Sequence, residues 1–229
     1  MAASIEEPLI IEFNGLPGSG KSSIAQRVVK ELEAEGICCL RLYNRTKLYR
    51  HHRVSLLRPY CLKLYHVLTQ YSGLLCPQSR KYAKLSAVYY LRMYVDFLKD
   101  KPASVLVVDQ GILQAFLSLG YTDVMPDSVF LREAYEIIKR VSNNMMVVNC
   151  SCPEDETMAR IRGRKPNGAR VHTMDEKELQ DTLHTQTRNL NLLRTLSKSI
   201  LDSGLFVELN TLDTIENNVG VIYHQVKIL

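Results

Sequence analysis

The stretch Leu9-Ile10-Ile11-Glu12-Phe13-Asn14-Gly15-Leu16-Pro17-Gly18-Ser19-Gly20-Lys21-Ser22 decides how the rest of the chain is read. Its first part, Leu9 to Phe13, is a short apolar run of the kind that forms a strand buried on both faces. Gly15 to Ser22 spells G-x-x-x-x-G-K-S, and Ser22 to Leu32 behind it reads as a helix. A glycine-rich turn between strand and helix aims backbone N–H groups at one point, and the helix N-terminus adds the positive end of its dipole. Gly15, Pro17, Gly18, Ser19, Gly20 and Ser23 are then expected to line a phosphate cradle. Lys21 is expected to reach the β- and γ-phosphates, and the Ser22 hydroxyl to ligate Mg2+. The plain alternative is a tight turn that binds nothing. Strand, helix, lysine and serine agree on a nucleoside-triphosphate site.

Working outward, four further apolar runs follow: Ile37 to Leu42, Ser104 to Val108, Met145 to Cys150 and Leu205 to Leu209. Segments of helical period separate them. Ile24 to Glu35 ends at Gly36, a suitable helix stop, and Asp127 to Asn143 precedes the fourth run. Asp155 to Arg164, Asp175 to Leu201 and Thr214 to Leu229 complete the set. Strands that alternate with helices predict an α/β domain with a doubly wound, five-stranded parallel sheet. Residues 1–229 are read as that single domain. The second crossover, 43–102, is long enough to be a helical insertion, with its best helices at Ser55 to Gln70 and Gln78 to Lys99.

Two further elements carry chemistry. The third run ends Val107-Val108-Asp109-Gln110-Gly111. A carboxylate at the end of an apolar strand, across the crevice from Ser22, is the expected second Mg2+ partner; the alternative is an ordinary Asp-Gly turn. The segment from Thr157 to His172 contains Arg160-Ile161-Arg162-Gly163-Arg164 and then Pro166-Asn167-Gly168. Arg160 and Arg164 are four apart and share a helix face, and Arg162 falls elsewhere. Arginines on a segment that breaks into such a turn suit a lid, 157–172, whose guanidinium groups offset charge on a transferring phosphoryl group. A solvated basic helix end is the other reading.

Bulk properties bound the rest. The chain carries a net charge of +5, and from Gly36 to Val95 it has no Asp or Glu at all. That stretch holds Arg41, Arg45, Arg50, Arg53 and Arg92 among other bases, which suggests an anionic ligand on the acceptor side, or else pairing with the acidic Asp175, Glu176, Glu178 and Asp181. Six cysteines with no C-x-x-C spacing read as free thiols of a reducing compartment. There is no apolar run of the roughly 20 residues that cross a bilayer, and no secretory start. A cytoplasmic protein without a membrane span is expected.

Gly15 to Ser22, the strand-end Asp109 and the arginines of 160–164 together resemble the thymidylate kinase and deoxynucleoside kinase branch of the P-loop kinases. The resemblance implies a nucleoside monophosphate kinase-like core, ATP with Mg2+ as donor, and a nucleoside or nucleoside monophosphate as acceptor. The chain departs from that pattern in places. Asn14 stands where the branch usually has Glu, and Pro17 where thymidylate kinases place an acidic residue. Gln110 replaces an acceptor-binding Arg, and Tyr43-Asn44-Arg45-Thr46 lacks the Glu that takes the acceptor's proton in nucleoside kinases. These changes leave the fold implied and remove the basis for thymidylate as acceptor.

A hydroxyl acceptor needs a general base, and the acceptor-side crossover contains no carboxylate. A phosphorylated acceptor needs cations instead. The expected acceptor is therefore an anionic small molecule such as a nucleoside monophosphate, with Arg45, Arg50, Arg53, Arg92 and Gln110 as candidate contacts. Glu12 or Asp109 would be the fallback base. An ATPase or regulatory module without transfer, and a nucleic-acid-end kinase or binder, are the competing readings. No RNA- or DNA-binding motif supports the last. The apolar helices of the crossover could pack in their own core or against a second copy in a homodimer.

Overall fold

All five apolar runs form strands, and they pair in parallel in one sheet of order β2-β3-β1-β4-β5. The computed structural model describes residues 9–42, 104–109, 111, 113–114, 117, 144–165, 170–201 and 205–228. Along them run β1 (Leu9–Gly15), α1 (Lys21–Ala34), β2 (Cys39–Leu42), β3 (Val105–Val108) and β4 (Met145–Ser151). Then come α2 (Glu154–Arg162), a 3₁₀ turn (Arg170–His172), α3 (Glu176–Ile200), β5 (Phe206–Asn210) and α4 (Ile215–Ile228). The helices read at 55–70, 78–99 and 127–143 lie outside the described residues. Among the described residues no helix is long and apolar enough to cross a membrane.

The apolar strands need cover on both faces, and two hydrophobic clusters supply it. On one face Ile11, Phe13, Met146 and Val148 pack with Ile24, Val28 and Leu32 of α1 and Val219 and Ile222 of α4. On the other, Met145 and Val147 pack with Ile161 of α2 and Leu179, Leu183, Leu190 and Leu193 of α3. This is the doubly wound α/β arrangement. Central β1 touches β3 on one side and β4 on the other, so its carboxyl end lies where the strand order reverses and where such sheets bind ligands.

Element ends differ from the sequence reading for local reasons. β2 starts at Cys39, not Ile37, because Ile37 closes α1: its N–H bonds Leu32 O at 3.0 Å while Gly36 N bonds Glu33 O at 3.0 Å, with Gly36 at φ +79°. That pair of bonds is a Schellman motif. α2 ends at Arg162 because Gly163 caps it. β5 is an edge strand rather than one buried on both faces: Val207 and Leu209 are buried, and Glu208 points outward to ion pairs with Arg194 and Lys198.

α3 is started by Asp175, whose carboxylate accepts the Glu178 N–H at 2.7 Å. Replacing Asp175 with Ala leaves that donor without its cap. The substitution is expected to lower unfolding free energy by about 1 kcal/mol. In a urea titration the midpoint should fall with the slope unchanged.

Candidate active site

β1 hands over to α1 in five residues, and this turn is the centre of the site. Gly18 and Gly20 hold φ of +87° and +89°, a region that costs other L-residues dearly. A Cβ on Gly18 would sit 3.0 Å from both Thr157 O and Ile161 Cγ1, so the loop also packs hard against α2. Ser19 N bonds Leu16 O at 3.2 Å, and Ser23 and Ile24 both bond back to Gly20 O, which starts the helix. The Ser19 hydroxyl is fully buried and has no hydrogen-bond partner among the described residues.

Lys21 folds back over the loop. Its ammonium donates to Gly15 O at 3.0 Å and Leu16 O at 2.8 Å. Burial is the main force on its acidity and lowers its pKa from 10.5 to about 8; Cys150 and Asp109 oppose the shift and Arg164 adds to it. Cys150 lies beside the loop, in register with Gly15, and burial pushes its thiol up to about 12. It stays a neutral neighbour, so the lysine has little local counter-charge.

Asp109 is fully buried at the end of β3. Arg41, on β2, grips it with both arms of its fork: Nε to Oδ1 at 3.2 Å and Nη2 to Oδ2 at 2.6 Å. The same Nη2 donates to Ser22 O at 2.9 Å. One nitrogen therefore bridges the strand-end carboxylate and the first turn of α1. By donor type the pair fits Mg2+, which takes hard oxygens and is commonly held through one or two protein ligands plus phosphate. The Ser22 hydroxyl and the Asp109 carboxylate would hold it, and the geometry adds a guanidinium at that carboxylate. Read in sequence, Arg41 was one base in a long basic stretch. The usable signal was register: Arg41 pairs with Val107, which shares a sheet face with Asp109 two residues on.

Glu12 is a buried carboxylate with another task. Its Oε1 accepts the Leu113 N–H at 2.6 Å and the Gln114 N–H at 3.4 Å, starting the turn that follows β3. A Cβ on Gly111 would meet this carboxylate within 2.6 Å, so a side chain there would have to push the Glu12 carboxylate aside. Glu12, read in the sequence as a fallback base, makes this contact in the structure.

Of the arginines after β4, Arg160 and Arg164 lie by the phosphate loop and Arg162 turns away from it. Arg160 bonds Glu156 at 2.7 Å and the turn after β5 through Thr211 O at 3.2 Å, and its Nη1 lies 3.6 Å from where a Gly20 Cβ would be. Arg162 donates to Met174 O at 3.0 Å. Arg164 lies past the end of α2, exposed, and acts on Lys21 through its charge. The turn at 210–214 is stapled by Asn218, whose amide donates to Asn210 O, Asp213 O and Thr214 O. Nothing in the pattern of the terminal helix singled this asparagine out. Arg45, Arg50, Arg53, Arg92 and Gln110 lie outside the described residues, as does 166–169 of the expected lid. The described part of that lid, 157–165 and 170–172, includes the end of α2, which packs on the phosphate loop.

No protein-family model matches the chain, and no curated protein matches it in sequence. Solved structures do. Deoxyadenosine kinase from M. mycoides with the products dCMP and a flexible dCDP bound superposes with a TM-score of 0.58 at 16% identity, over 96% of this chain and 100% of that one. The same enzyme with bound dATP gives 0.55 at 14% identity, and with bound dCTP 0.56 at 16%, over the same shares. At these identities the likeness establishes the fold: a five-stranded parallel sheet with helices on both faces, as in that enzyme.

The sequence leads to the expectation that a polyphosphate meets the ammonium form of Lys21, and half of that form is lost near pH 8. Affinity for ATP in EDTA is therefore expected to be full below that pH and to fall above it by up to about tenfold per pH unit. Titration of a fluorescent ATP analogue on either side of that value checks this, and a flat profile counts against it.

Proposed function

We propose that the chain is an ATP- and Mg2+-dependent phosphotransferase of the nucleotide kinase type, acting on an acceptor that already carries a phosphate. The observation that carries this reading is the loop itself. Two left-handed glycines, a helix that starts at Lys21, and an ammonium short of counter-charge stand at the switch point of a parallel sheet. That combination draws in a polyphosphate. The bound dATP and dCTP of the neighbouring M. mycoides structures support a nucleotide as the ligand.

In this reading the amides of Gly18 to Ser22 and the Lys21 ammonium hold the donor's phosphates and offset charge that builds on them during transfer. Ser22 and Asp109 would hold the metal, which would supply positive charge to offset that of the donor's phosphates. Arg160 fixes α2 against the turn after β5, and Arg164 adds positive charge near the loop. With Glu12 committed to the Leu113 and Gln114 amides, no free base is evident beside the loop among the described residues, which favours a phosphate over a hydroxyl acceptor. A nucleoside monophosphate is the first choice, with Arg45, Arg50, Arg53, Arg92 and Gln110 as its contacts. The Arg41–Asp109 pair favours a second reading, a nucleotide-binding module that does not transfer phosphate.

A coupled assay for ADP, run with a panel of nucleosides and nucleoside monophosphates, separates these. ADP should form only with an acceptor present, fastest with a monophosphate. Lys21→Ala should lower kcat by about 100- to 1,000-fold. Faster turnover with an unphosphorylated deoxynucleoside would sink the choice of acceptor. Slow ADP formation that ignores every acceptor would point to the non-transferring module.

A further inference from the structure

We propose that Arg41 is a built-in competitor of the metal: it occupies Asp109 in the metal-free protein and must leave before a divalent cation can bind there. The inference rests on the reading of Ser22 and Asp109 as metal ligands.

Three features of the pair carry it. First, the contact is two-pronged and the carboxylate is dry. Both Asp109 oxygens accept from Arg41, and Asp109 has no exposed surface. Paired guanidinium–carboxylate bonds of this kind are strong, and desolvation makes an unpaired Asp109 costly. Second, the third bond of the same guanidinium goes to the Ser22 carbonyl, on the residue whose hydroxyl is the other metal donor. The guanidinium therefore sits at the Asp109 carboxylate and ties it to the backbone of the residue that carries the other candidate donor. A divalent ion placed there would meet a like charge at contact distance, where repulsion is largest. Third, Arg41 has somewhere to go. β2 is the edge strand of the sheet, and the Arg41 side chain keeps 21% of its surface exposed.

The consequence is a site that discriminates against bare cations. Without nucleotide, Asp109 is neutralised from within and Mg2+ gains little by entering. Once phosphate oxygens line the loop, added negative charge favours the ion over the guanidinium. Metal then enters with nucleotide, and Arg41 is released as it does so.

The probe is Mn2+, followed by the electron paramagnetic resonance of the free ion as it is titrated into the full chain with one equivalent of ADP. Arg41→Met removes the competitor and should tighten Mn2+ binding by at least about tenfold, whereas Arg41→Lys keeps the charge but loses the fork and should fall between Arg41→Met and the wild type. Equal Mn2+ affinity in the wild type and Arg41→Met overturns the proposal.

Arg41→Met leaves a buried carboxylate unpaired, so its fold is checked by circular dichroism, and a measurement on the wild type stands beside it. The Arg41 Nε–H signal in a ¹⁵N spectrum, assigned by its loss in Arg41→Lys, should persist with ADP in EDTA and shift or vanish when Mg2+ is added. A signal unmoved with Mg2+ bound also overturns the proposal. Binding of a fluorescent ADP in EDTA tests the phosphate loop separately. Its absence removes the nucleotide reading and this proposal together, whereas normal binding with unchanged metal affinity removes only the proposal.

Discussion

A lysine side chain turned back onto the carbonyls of its own loop organises this molecule's working end. The Lys21 ammonium ties Gly15 O and Leu16 O together from the first turn of α1, closing the strand-to-helix handover into a ring. The closure is possible only because Gly18 and Gly20 take backbone angles that side chains resist, and because Gly18 leaves room for Thr157 and Ile161 of α2. The ring is also where β1, α1 and α2 meet, so the packing of both sheet faces converges on it.

The two charged groups beside the crevice are balanced in opposite ways. Lys21 is buried among carbonyls and a neutral thiol, so its charge is poorly compensated and its acidity raised. Asp109 is equally dry, but Arg41 compensates it through two bonds. An anion arriving at the loop relieves the first group at once. A cation arriving at the second must first displace a partner. In the proposed reading the same sheet end favours phosphate and disfavours free metal, an asymmetry made by one arginine on an edge strand.

Much of this was legible in the chain because it depends on neighbours in sequence. The five strands follow from local apolar runs, and the phosphate loop from eight consecutive residues, Gly15 to Ser22. Errors of one or two residues at element ends have local causes too, such as Ile37 closing α1 in place of opening β2. The contacts that define the site's chemistry were not legible. Arg41 and Asp109 are 68 positions apart, Arg160 and Thr211 51 apart, and Glu12 and Leu113 101 apart. Each joins the ends of different strands or loops, and no period in the sequence reports which strands lie side by side.

By itself, then, the amino-acid order determined the kind of fold and the tight turn between β1 and α1 on which the proposed site is built, since both arise from short-range preferences: apolar strands, glycine angles, a helix start. Only the tertiary structure decided what each charge is for. It gave Glu12 the amides of Leu113 and Gln114, kept Arg160 and Arg164 by the loop while turning Arg162 to Met174, and set Arg41 on Asp109. The physical reason is that a charge's role depends on what lies within a few ångströms of it, and in a parallel sheet those neighbours come from distant parts of the chain.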